Sequence, residues 1–154
     1  MKSRWLRVGL VVLALPQLQI GLWCLASPRS WYDNFPGGGH AWVAASGPYD
    51  EHLVRDVAAA LLALGILLIW TAVTLAPTLV RAALVAWLVF AAPHFVYHLV
   101  NHDVLPALDN AASLGGLLLE VLLPLALLAA TLPPGHRNKG PIEPGSETAA
   151  HKVE

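Results

Sequence analysis

The chain has 154 residues, of which 56% are hydrophobic and only 12% charged, and its mean hydropathy of +0.60 excludes an ordinary water-soluble domain. A formal net charge of −1, with basic residues scattered over termini and loops, excludes a nucleic-acid-binding protein. One cysteine and one methionine exclude an intramolecular disulfide, a thiolate cluster and a soft-metal site.

Four continuous apolar runs, 6–25, 53–76, 82–100 and 111–132, are each long enough to cross about 30 Å of hydrocarbon. Continuous rather than alternating apolar character predicts helices, because a helix satisfies its own backbone in lipid. The expectation is an all-α, four-helix transmembrane bundle over residues 1–132. Lys2, Arg4 and Arg7 lie at the start of the first run, and Cys24-Leu25-Ala26 stands at its end in the manner of a signal-peptide cleavage site. That run is longer than a signal core and holds Pro16, Gln17 and Gln19, which favours a retained span with Cys24 as one of its small apolar residues.

The first loop, 27–50, is too long for a plain connector and carries Trp31, Tyr32, Phe35, Gly37 to Gly39, Trp42 and Tyr49. Its rings predict a cap folded onto the bundle, since free solvation would leave them in water. The glycine run lacks the lysine and the strand-to-helix setting of a phosphate loop. The second span opens on a polar cluster: Pro48 suits the first helical position, Asp50 and Glu51 suit the positive helix end, and Glu51–Arg55 and His52–Asp56 pair at i, i+4. Ala58, Ala59, Ala60 and Ala63 follow, a small-residue face expected to receive another helix.

A short link around Pro77 and Arg81 leads to the third span, which ends in PHFVYHLVNHD (93–103). There His94, His98 and His102 stand at i, i+4 and i+8, one helical stripe drifting about 40° per step. After a link broken by Pro106, the last span carries Glu120 beyond Ser113 and Gly116. Pro93 and Pro124 are expected to kink their helices. Trp5, Trp70 and Trp87 are assigned to one membrane interface and Trp23, Trp31 and Trp42 to the other. The basic residues place both termini in the cytoplasm of a multi-pass plasma-membrane protein, with residues 133–154, rich in Pro, Gly and charge, as a disordered cytoplasmic tail.

Depth brings the polar stripes together. At about 1.5 Å of rise per residue, Asp56 and His98 fall at one level in the outer half, with His94 and Glu120 one turn deeper. An ionisable group in lipid needs a partner and is a functional candidate for that reason. Imidazole and carboxylate without thiolate are the ligands of zinc, iron, manganese or copper(II), and two histidines at i, i+4 can hold one ion. The candidate ligands are His94, His98, His52, Asp56, Glu120 and His102, for a transition metal with zinc or iron favoured. In a metal-dependent membrane oxidoreductase or hydrolase, Glu120 or Asp56 would accept the proton.

Other readings of the same residues stay open. Haem b could be held by His52 with His94 or His98 for electron transfer. An accessory or assembly subunit would use the polar residues to tie helices together, and proton-coupled transport would use them as a relay. His52 and Asp56 could simply bond each other, and His102, Asp103, Glu51, Arg55 and His40 could simply be solvated. The faces of Ala59 and Ala63, or of Gly115 and Gly116, suit a homodimer or a membrane-protein partner. Together WYDNFPGGGHAWVAASGPYDEHLVRDVAA (31–59) and PHFVYHLVNHD resemble segments of small four-helix bacterial membrane proteins of the DoxX-like group. That resemblance implies the fold and leaves the activity open.

Overall fold

The computed structural model describes residues 2–132, so the tail at 133–154 lies outside the described residues. Four long helices, α1 (Lys2–Ala26), α4 (Glu51–Thr74), α5 (Pro77–Val100) and α6 (Ala107–Thr131), are each long and apolar enough to span a bilayer. Two short helices, α2 (Pro28–Asn34) and α3 (Trp42–Ser46), occupy the first loop, and a 3-10 turn (His102–Val104) joins α5 to α6. The chain is a multi-pass integral membrane protein built as an all-α four-helix bundle.

Local chemistry sets the helix ends. The α4 helix starts at Glu51, because the Asp50 side chain accepts a hydrogen bond from the Leu53 N–H at 3.1 Å. Pro48 therefore lies outside the helix whose first position it was expected to hold. Pro77 opens α5, where its missing N–H costs nothing. Basic side chains close helices at the end away from the loop helices: Arg7 Nε donates to the Ala72 carbonyl at 2.9 Å and an Arg81 guanidinium N–H to the Thr131 carbonyl at 2.9 Å. Each brings positive charge to a helix C-terminus.

Successive long helices run antiparallel, and α6 returns to α1 to close the bundle. Between α1 and α4 the approach is closest. A Cβ on Gly21 would lie 2.8 Å from Leu62 and 3.1 Å from the Ala58 carbonyl oxygen, and one on Gly65 would lie 2.8 Å from the Leu18 side chain. The core is made by Leu10, Leu13 and Ala14 of α1, Leu68 and Ala72 of α4, and Val80, Ala83, Leu84, Trp87 and Ala91 of α5. Residues of α6, among them Val121, Leu123 and Leu127, pack against it from the fourth side.

The inward stripe of α4 is Val54, Ala58, Leu61, Gly65, Leu68 and Ala72. Of the small residues expected to face another helix, only Ala58 does so; Ala59, Ala60 and Ala63 are exposed. The reason lies in the span itself: with every face apolar, the sequence carries little contrast between core side and lipid side. The same stripe settles His52 and Asp56. Each is two residues from Val54, about 200° around the helix, so both point away from the core.

A second cluster caps one end of the bundle. Cys24, Trp31, Val54 and Ala58 are buried there, with Ile20, Trp23, Tyr32, Phe35, Val43 and Tyr49 packed around them. Arg29 pairs with Asp33 at 2.7 Å and lies over the rings of Tyr49 and Tyr32 at 5.1 and 5.7 Å. The hydrogen bond to Asp33 and its charge raise the Arg29 pKa, while burial and the nearby Glu51 carboxylate raise that of the Tyr49 phenol. The Tyr32 hydroxyl donates to the Gly47 carbonyl, and Arg55 donates to the Leu25 carbonyl at the end of α1.

Candidate functional site

Polar groups within the bundle fall into two sets, one near the middle and one at the cap end. In the middle, Gln17 of α1 is buried, and its Nε2 donates to Glu120 Oε1 of α6 at 2.9 Å. The indole of Trp87, fully buried on α5, donates to the backbone carbonyl of Glu120 at 2.9 Å. Pro124 explains that carbonyl: four residues beyond Glu120 and without an N–H, it leaves the Glu120 oxygen with no helical donor. In lipid an unpaired carbonyl is costly, and Trp87 supplies the missing bond. Trp87 is therefore a core residue rather than the interfacial residue its sequence position suggested, whereas Trp5 and Trp70 are 71% and 63% exposed.

At the cap end, α5 presents Phe90, His94 and His98 along one stripe. The His94 and His98 rings stack with centroids 4.9 Å apart and planes 16° from parallel, and Phe90 lies 5.5 Å from His94 on the inner side. Tyr97 meets His98 edge to face at 5.6 Å. His94 is exposed at the bundle surface and His98 is half-buried. Among the described residues, neither ring is hydrogen-bonded to another side chain or to backbone. His98 also lines a cavity of about 130 Å³ beside the end of α3, with Ser46, Tyr97, Asn101 and Asn110 as its polar walls and Val104 and Leu105 as its apolar ones.

The six proposed ligands are not gathered into one site. His52 Nε2 lies 3.6 Å from Asp56 Oδ2, both on the solvent-facing first turns of α4, with the histidine side chain 90% exposed. Glu120 is occupied by Gln17. The His102 stripe position is lost because α5 ends at Val100, where Asn101 bonds back to the Tyr97 carbonyl. His102 sits instead in the 3-10 turn, within 3.1 Å of the Leu99 carbonyl and 3.2 Å of Asp103. Among the described residues no group of three or more His, Cys, Asp or Glu is placed to hold a metal ion. Of the expected set, two pairs are brought together, each along its own helix: His94 with His98 on α5 and His52 with Asp56 on α4.

Two contributors escaped sequence reading. Gln17 carried a usable signal, an amide deep within an apolar span, which needs a partner there. His40 carried none: its Nδ1 reaches Asp109 Oδ2 at 3.0 Å, across 69 residues, and ties the first loop to the start of α6. Comparison with protein-family models, with curated proteins and with solved structures finds no match.

Proposed function

We propose that this membrane protein binds a divalent transition-metal ion through His94 and His98, with the remaining coordination positions taken by water or by a substrate. The observation that supports this is the stacked pair itself: two imidazoles on one helical face, free of other hydrogen bonds, one of them opening into a cavity. Residues at i, i+4 have Cβ atoms about 5–6 Å apart, so both rings can turn onto one ion without moving the backbone. Imidazole ligation with no thiolate at hand favours zinc or iron over copper(I). Glu120 and Asp56, each engaged elsewhere, are given no catalytic role. The basic residues at the opposite end of the bundle, Arg4, Arg7 and Arg81, set the cap end toward the outside of the cell.

The test is bound metal per chain in protein purified in detergent, together with a visible spectrum. Near-stoichiometric metal that disappears in His94→Ala/His98→Ala and persists in His52→Ala and Glu120→Gln is the expected result. Equal metal in the double variant, or none in the parent, overturns the reading; a haem spectrum replaces it with electron transfer.

A second reading, as a subunit of a larger membrane complex, is favoured by one observation. His94 is exposed on the flank of a span, where lipid offers it no partner, and Gly115 and Gly116 of the neighbouring helix α6 are exposed as well. A Cβ on either glycine would meet nothing within 4 Å, leaving bare backbone open to a neighbouring helix. A co-purifying protein lost on Gly116→Leu, with no metal present, would support this reading over the first.

A further inference from the structure

The first loop reaches the cavity at His98 through Ser46, the last residue of α3, and that part of the loop is built differently from the rest of the cap. The α2 helix buries Pro28 and Trp31, whereas α3 buries none of its residues. On the chain's way to α3, Gly37, Gly38 and Gly39 have φ of 108°, 65° and 88°, left-handed conformations that side chains resist and that glycine exchanges freely with others. Beyond α3 the chain passes Gly47, whose carbonyl is held by Tyr32. Between these two points, Trp42 is anchored by its backbone N–H, which donates to the Phe35 carbonyl at 2.8 Å, and by edge contact with the Phe35 ring. Toward α6 the segment is held by the pair of His40 with Asp109, one residue before the cavity-lining Asn110.

We infer that residues 40–46 form a lid over a vestibule leading to His98, hinged on Gly37 to Gly39 and latched by His40 on Asp109. Ser46 is the residue of this segment that lines the cavity, and its hydroxyl donates to the Trp42 carbonyl rather than into the cavity. The walls carry amide, hydroxyl and imidazole groups and no full charge, which suits water and small hydrated species passing to the histidine. Lids of this kind trade a few weak contacts against access, and a single His–carboxylate pair is of the right strength to be broken and remade. The inference rests on the two-histidine reading for what the vestibule serves; the lid itself is tested independently of metal.

The experiment measures alkylation by a charged maleimide of Asn110→Cys in purified protein, with the parent as blank because Cys24 is fully buried. Leu108→Cys, at a position 81% exposed in the same helical turn, is the open reference. Asn110→Cys is expected to react several-fold more slowly than Leu108→Cys. Adding His40→Gln is expected to speed it by roughly three- to fivefold, as loss of an ordinary surface ion pair allows, with Leu108→Cys, which also adjoins Asp109, no faster. An Asp109 carboxylate left unpaired would by itself slow the neighbouring thiol, so a faster reaction reports opening. Equal rates for the two cysteines in the latched protein, or no acceleration by His40→Gln, overturn the lid. Metal lost on His94→Ala/His98→Ala with flat labelling removes the lid and keeps the two-histidine reading; a labelling contrast in metal-free protein does the reverse.

Discussion

Along α1 and α4 the backbones approach until a Cβ on Gly21 or Gly65 would stand 2.8 Å from a neighbouring leucine, whereas on α6 a Cβ on Gly115 or Gly116 would meet nothing within 4 Å. The same residue type thus serves two purposes. In the first pair, glycine removes bulk so that two helices gain dispersion contacts along their length, which is what holds helices together where no hydrophobic effect acts between them. In the second, glycine leaves backbone bare on the exposed side of α6. One region gains stability from density, and the other leaves room for a ligand or partner.

Substituting the glycines breaks or sustains that contrast most directly. Gly65→Leu and Gly21→Leu should each cost about 3 kcal/mol or prevent folding, since the obstructing neighbours include Ala58 and Leu18 backbone atoms. Gly115→Leu should stay within about 0.5 kcal/mol for the isolated chain, because nothing is there to collide with. Thermal unfolding in detergent measures both, and comparable losses at Gly115 and Gly65 would erase the distinction.

The middle of the bundle gives the next largest effect. Trp87→Phe should cost about 1–3 kcal/mol by orphaning the Glu120 carbonyl, beyond a small packing term. Pro124→Ala restores a helical N–H to that oxygen, so the cost of Trp87→Phe should shrink in its presence; a double-mutant cycle showing additivity would discard the link between the proline and the indole. Gln17→Leu should cost about 1 kcal/mol by leaving the Glu120 carboxyl without its donor. Glu120→Gln, which can still accept from Gln17, should cost less than Gln17→Leu in the same assay.

The cap end should give the smallest change in stability and the largest in binding. His94→Ala/His98→Ala should shift stability by no more than about 0.5 kcal/mol, because His94 is exposed and neither ring is hydrogen-bonded among the described residues, while abolishing bound metal. A large loss of stability with metal unchanged would move the pair from the binding side of the comparison to the structural side.

Sequence by itself determined the four helices, because about 20 apolar residues in a row have no other stable form in a bilayer. It also determined that His94 and His98 share a face, since that follows from helical pitch alone. Which way each helix turns was decided only by the tertiary structure. Apolar on all sides, a span shows little of its inward stripe in its own pattern, so Ala59, Ala63, His52 and Asp56, inward by sequence, point outward. Partners distant in sequence were equally hidden: Glu120 meets Gln17, Trp87 meets the carbonyl that Pro124 leaves open, and His40 meets Asp109. Depth is a one-dimensional quantity that counting residues can supply, whereas rotation and neighbour choice are set by packing between helices, where side-chain volumes and single hydrogen bonds select one arrangement.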